Sequence, residues 1–178
     1  LRGRLAAAGI QTVDFSTSWW VGSDRATSSA LYESGLDQRV AHLAHLMETE
    51  KIRLVVTNTS VVSEGALAAR RRGIPHVWII HEMATRIAEL TPFVAPSEFY
   101  RTIQSLSCRV VTVSRHLRTE IHKHNPTVRV SVIHNSTLGF DHRPAVKRDG
   151  PPTILFAGAI THHKGIATLG RAIPLVLA

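Results

Sequence analysis

The sequence contains one cysteine, Cys108, so no disulfide can form within the chain. A disulfide-stapled scaffold is excluded, and a reducing, cytoplasmic compartment is expected. Cys108 stands between Leu106 and Val110 at the entry to a strand-like run, and it reads as a structural, core-type cysteine rather than a nucleophile. Aromatic residues make up only 6%. No apolar stretch approaches the roughly 18–20 residues needed to span a membrane. Residues Leu1–Gly9 carry charge without an apolar run and cleavage site, and do not read as a signal peptide. No internal repeat or low-complexity tract is visible.

Acidic residues are scarce, 13 against 21 basic ones, for a formal net charge of +8. Such a balance admits nucleic acid, an anionic membrane face or a phosphorylated small molecule as partner. The basic residues are spread out. Their one run, Arg70–Arg72, precedes Gly73, where cations complement the negative end of a helix and glycine follows it. No aromatic residue interleaves with that run, so base stacking is absent from its pattern and nucleic acid is not an expected partner. Eleven histidines raise the question of zinc. His122 and His124 lie two apart on a helix and diverge, His162 and His163 are adjacent, and no H-E-x-x-H pattern occurs. No metal site is expected.

What is present is an ordinary globular balance: 178 residues, 44% hydrophobic and 19% charged, enough for one domain with a core, or a domain and a piece of another. Short β-branched runs alternate with helical periodicity. Strands are predicted over 11–15, 52–57, 76–81, 109–113 and 128–134. Helices are predicted over 36–48, with Leu36, Val40, Leu43 and Met47 on one face, over 61–72 with Thr59 or Ser60 as cap, and after Ser114 with Leu117 and Ile121 inward. This alternation with short links predicts an α/β fold, a doubly wound Rossmann-like parallel sheet. Trp19 and Trp20 precede a Gly/Ser-rich loop, Val21–Ser29. They are read chiefly as packing at a strand end, with an acceptor- or membrane-facing surface as the alternative.

Residues 137–152 lose periodicity and gather Gly139, Pro144, Gly150, Pro151 and Pro152, as an interdomain linker does. A strand over 153–157, a loop and a helix over 164–177 follow, and Pro174 should kink or stop that helix. The expected organisation is a first domain over 1–136, a linker over 137–152 and the start of a second domain over 153–178. Both ends look cut: the start reads as the back half of a helix, and the last residues are apolar. In open α/β sheets ligands bind beyond the carboxyl ends of the strands. Asn58, His81, Glu82, Ser114 and Asn135 occupy those ends, where polar caps and turn residues are also usual.

The segments themselves resemble a known family. LVVTNTSVVSEGALAARRRGIPHVWIIHEM (Leu54–Met83) is similar to the later half of the first domain of family 4 glycosyltransferases. RVVTVSRHLRTEI (Arg109–Ile121) resembles the strand–Ser–helix element that follows. VSVIHNSTLGFD (Val130–Asp141) resembles the stretch that ends the domain, with Ser136 in place of the usual Gly. TILFAGAITHHKGIATLGRAI (Thr153–Ile173) resembles the opening strand, loop and Lys-Gly helix of the second domain. Order and spacing agree over about 120 residues.

The resemblance implies a GT-B architecture, two Rossmann-like domains facing across a cleft, here with most of the first and the start of the second. It implies a glycosyltransferase of carbohydrate biosynthesis that moves a sugar from a nucleotide-sugar donor to a glycan or lipid-linked acceptor. Anomeric configuration would be retained, and neither cofactor nor metal used. The absence of an Asp-x-Asp motif agrees with the last point. It implies Gly158, Lys164 and Gly165 at the donor diphosphate, although Ala159 stands where the family often has Arg. It makes His81 and Glu82 the catalytic candidates, His81 orienting the acceptor or transferring sugar and Glu82 binding an acceptor hydroxyl. Asn58, Ser114 and Asn135 would line the cleft. Peripheral contact with the anionic inner face of a membrane is a further expectation. The 178 residues alone are expected to be inactive. The alternative is a non-catalytic α/β binding or interaction domain derived from the same fold.

Overall fold

The computed structural model describes residues 2–87, 90–136, 150, 153–161 and 164–177. The chain divides into two compact units, Leu1–Asn135 and Ser136–Ala178. In the first, β1 (Val55–Thr57), β2 (His76–Ile80), β3 (Arg109–Thr112) and β4 (Val130–Val132) form one sheet in the order β1-β2-β3-β4, each pair parallel. Parallel neighbours need crossovers, here α4 (Glu64–Arg72), α5 (Pro96–Ser105) and α6 (Arg115–His124). The sequential order is the winding of one half of a doubly wound, Rossmann-like sheet.

Register explains the core. Thr57 pairs with Trp78, Trp78 with Val110 and Val110 with Val130, so one face of the sheet presents a continuous row. Along β2 the residues on this face, His76, Trp78 and Ile80, are buried, while Val77 and Ile79 on the other are half-buried. Phe99, Tyr100, Ile103 and Ile121 from α5 and α6 share the core with Trp78 and Ile80. Burying each large side chain contributes about 2 kcal/mol. Trp20 stacks on Trp78 with ring centroids 5.8 Å apart and tilts against Phe99 at 4.7 Å.

Before the sheet come α1 (Arg2–Ala7), α2 (Arg25–Glu33) and α3 (Leu36–Thr49). The apolar stripe of α3 packs on α4, where Ala68 allows close approach to Val40, Ala44 and Met47. A buried ion pair joins the same helices: Arg39 Nε donates to Glu64 Oε1 at 2.9 Å. Glu64 also accepts from the Ser18 and Ser63 amides, and the Arg39 guanidinium donates to the Ser34 and Tyr32 carbonyls. Helix α4 ends on its three arginines, with Gly73 at φ 66°, left-handed as a C-terminal glycine allows.

Several sequence expectations change. Residues 11–15 form no strand: Asp14 pairs with Arg2, Phe15 tilts against His42, and Gln11 and Val13 line a shallow groove beside Leu43, Met47 and Val55. Helix α4 begins at Glu64 rather than 61, and neither Thr59 nor Ser60 caps it. Their hydroxyls are drawn instead to a carboxylate at the end of β2. Cys108 is exposed, its thiol donating to the His76 carbonyl at 3.0 Å. Trp20 joins the core while Trp19 stays exposed.

In the second unit, residues 153–157 carry no strand ladder among the described residues, and Leu155 is 86% exposed. Its helix α7 (Ile166–Leu177) runs through Pro174 instead of stopping there. The expected linker, 137–152, lies outside the described residues except at Gly150. No helix of the described residues is long and apolar enough to cross a membrane.

Candidate functional site

The carboxyl ends of β1, β2 and β3 turn directly into polar segments. After β1, Asn58 Oδ1 lies 2.8 Å from Nε2 of His81, the residue after β2. Both side chains are exposed. In the tautomer with Nε2–H donating to Asn58, Nδ1 is the acceptor, and it has no partner among the described residues. Two of the expected residues are thus brought together across adjacent strands.

Glu82 is held differently. Its Oε1 accepts from Thr59 Oγ1 at 2.7 Å, and its Oε2 accepts from the Ser60 amide at 2.9 Å and the Ser60 hydroxyl at 3.1 Å. Burial pushes the carboxyl upward, but the hydrogen bonds from Ser60 and Thr59 outweigh it and leave Glu82 below the ordinary carboxylate value. Both oxygens are engaged by the β1–α4 loop, which Glu82 fixes beside Asn58. The same loop receives both buried indoles: Trp20 Nε1 donates to the Ser60 carbonyl at 2.7 Å and Trp78 Nε1 to the Thr59 carbonyl at 2.6 Å.

Ser114, after β3, caps α6 by accepting from the Leu117 amide at 3.1 Å. Asn135 is exposed beyond β4 and is not among the positive-φ residues. Its neighbour His134 lies with Nδ1 3.1 Å from the Val113 carbonyl, tying the end of β4 to that of β3. Sequence reading passed over this contact. It also passed over Arg86, whose guanidinium reaches Glu120 through Nε at 2.8 Å and Nη2 at 3.2 Å, with Lys123 adding a third contact at 3.1 Å. Arg86, then Lys123, pull the Glu120 carboxyl down to about 2. This pair pins the chain after β2 onto α6. No local spacing signals it, because its partners lie 34 residues apart.

Gly158, Lys164 and Gly165 all belong to the second unit. Lys164 is exposed and lies two residues before the start of α7, with Gly165 at φ 78° between them. That φ is one a side chain would strain, so the Lys-Gly pair sits on a turn leading into a helix N-terminus. Such a terminus offers free amides and a positive dipole to an anion. Among the described residues no three His, Cys, Asp or Glu side chains converge as a metal site would require.

No curated protein matches the chain. The family model described as Glycosyltransferase Family 4 matches residues 25–137, from the start of α2 to just past β4. That span contains the whole sheet, its crossover helices and the Asn58, His81, Glu82, Ser114 and Asn135 positions. By this match and by its parallel Rossmann-like sheet, the chain belongs to Glycosyltransferase Family 4.

Proposed function

We propose that the protein carrying this chain transfers a sugar from a nucleotide-sugar donor to a glycan or lipid-linked acceptor, with retention and without a bound metal. The observation that best supports this reading is the Asn58–His81 pair at adjacent strand ends, beside a loop locked by Glu82. In this reading the first unit serves the acceptor. Asn58 fixes the imidazole, and His81 Nδ1 accepts a hydrogen bond from an acceptor or sugar hydroxyl. Glu82 acts through the loop it holds and is a positioning residue.

The second unit would serve the donor. A departing nucleoside diphosphate gains negative charge in the transition state. Lys164 would stabilise that charge, with Gly165 letting the backbone of the following helix approach and Gly158 keeping the loop open. Ala159, in place of an arginine, leaves Lys164 as the main cation there. It also favours the second reading, a binding domain without turnover. The protein would work in carbohydrate biosynthesis in the cytoplasm, with peripheral contact to an anionic membrane where the acceptor is lipid-linked.

The acceptor role is tested by His81→Ala and Asn58→Ala in the complete protein. The expected result is a KM for acceptor raised about 10-fold or more, with donor KM little changed, as loss of a positioned hydrogen bond gives. Unchanged acceptor kinetics in both variants would remove His81 from the site.

A further inference from the structure

At the opposite end of the sheet, the amino ends of β3 and β4 carry a concavity of about 590 Å³ that Asn58, His81, Glu82, Ser114 and Asn135 do not line. Gln104, Ser107, Cys108, Arg109, Thr127 and Arg129 line it. The ladder explains why two arginines meet there. Val110 pairs with Val130 and Val111 with Ser131, so Arg109 and Arg129 hold neighbouring positions on one face. Like charges side by side on adjacent strands repel.

Some arginines of this unit have countercharges, Arg39 with Glu64, Arg72 with Glu48 and Arg86 with Glu120, and others, such as exposed Arg101 and Arg118, have none among the described residues; what sets Arg109 and Arg129 apart is that they meet in one concavity. Arg109 and Arg129 make no ion pair or hydrogen bond with any described residue, and no carboxylate lines the concavity. The half-buried Gln104 amide is likewise without a partner among the described residues. The hydroxyls of Ser107 and Thr127 are already turned to Ile103 and Asn125. The unused groups are therefore two planar guanidinium forks, one amide and the Ser131 hydroxyl, a donor set suited to a polyanionic oxyanion. The volume exceeds that of a lone phosphate and falls in the range of small-molecule sites.

We propose that this concavity binds a phosphate-bearing ligand, its oxyanion held between Arg109 and Arg129. The site is separate from the strand carboxyl ends and does not depend on how those ends function. The phosphate could be carried by a soluble molecule or by a lipid headgroup, and the probes separate the two.

Exposed Cys108 in the same concavity serves as reporter. Its alkylation by iodoacetamide is followed in the full chain with and without pyrophosphate. Sedimentation with vesicles of phosphatidylcholine alone, or containing phosphatidic acid, is run in parallel. The expected result is slower Cys108 alkylation and saturable pyrophosphate binding, weakened about 10-fold or more in Arg109→Gln and in Arg129→Gln. Arg101→Gln, on the exposed side of α5, should leave binding unchanged. Co-sedimentation confined to phosphatidic acid vesicles and lost in the same two variants supports the site with a lipid as the source. Absence of Cys108 protection and of vesicle binding in the unaltered chain overturns the proposal. Binding that survives both substitutions overturns it equally.

Discussion

Replacing Glu82 by Gln removes a charge and one acceptor oxygen from the loop that both buried indoles and the Asn58–His81 pair depend on. The carboxylate accepts three hydrogen bonds, from the Thr59 hydroxyl and from the amide and hydroxyl of Ser60. An amide can keep its oxygen toward Ser60, but its NH2 then faces Thr59 Oγ1, so the Thr59 hydroxyl can no longer donate there and the contact survives only reversed and without charge. One charge-assisted bond is lost and the others weaken, so the expected destabilisation is about 1.5 kcal/mol. Glu82→Ala leaves the amide of fully buried Ser60 without an acceptor and should cost about 2–3 kcal/mol. Either is a large share of a domain stability of about 5–15 kcal/mol.

The assay is urea unfolding followed by tryptophan emission, since Trp20 and Trp78 donate to the carbonyls of Ser60 and Thr59. The difference must also depend on pH. The carboxyl of Glu82 lies below its ordinary 4.5 in the folded protein, so the unfolded chain takes up the proton first as pH falls. The stabilisation is complete above about pH 4.5 and fades as pH drops through the folded-state value. The gap between the parent and Glu82→Gln should therefore narrow in acid. A variant within about 0.3 kcal/mol of the parent at pH 7, or a gap that stays constant into acid, would refute the reasoning.

Arg39→Met leaves the buried Glu64 carboxylate without its cation and should cost about 3–5 kcal/mol, whereas Arg39→Met with Glu64→Leu should recover only part of it, because the Ser18 and Ser63 amides still lose their acceptor; denaturant midpoints of the three proteins decide this. His76 is buried, with its Nε2 2.8 Å from Thr57 Oγ1 and its Nδ1 3.0 Å from Ser107 Oγ, and burial lowers it from 6.5 to about 4. The unfolded chain binds that proton first, so stability is full above about pH 6.5 and is lost toward pH 4. The loss is about 2 kcal/mol after allowance for solvent screening, and its site is checked by a histidine NMR titration in which the His76 ring stays neutral to about pH 4. Disrupting Arg86–Glu120 with Arg86→Ala should bring the Glu120 carboxyl up toward its ordinary 4.5; an unmoved carboxyl resonance in a pH titration would show that Lys123 alone holds it down.

The sequence showed the parallel strands because β2 and β3 are nearly uninterrupted β-branched or apolar runs, and their breaks at Ser114 and Gly73 are chemically specific. Residues 11–15 misled for a physical reason: alternation of apolar Val13 and Phe15 with polar Thr12 and Asp14 satisfies a strand pattern, but a strand also needs a ladder partner, and none of the described residues supplies one. The placement of His81 beside Asn58 followed from the rule that strand ends gather in an α/β sheet. The binding of Glu82 by Thr59 and Ser60 did not, since those hydroxyls fit a helix cap equally well in sequence. Cys108 looked internal between apolar neighbours, yet it precedes β3, where the backbone turns and leaves the thiol outside. Contacts such as Arg86–Glu120 depend on where two distant elements come to lie and leave no local trace.

The central claim is sugar transfer from a nucleotide sugar, with Lys164 stabilising the departing diphosphate. Its most direct test is acceptor-dependent release of nucleoside diphosphate from a panel of nucleotide sugars by the complete protein and its Lys164→Ala variant. The account predicts turnover of at least one donor by the parent and a loss of roughly 100–1000-fold in kcat/KM on removing the lysine, as for one oxyanion-stabilising group. Folding should be nearly unchanged, since Lys164 is exposed. Turnover of no donor by the parent, or equal kcat/KM for the two proteins, would contradict it.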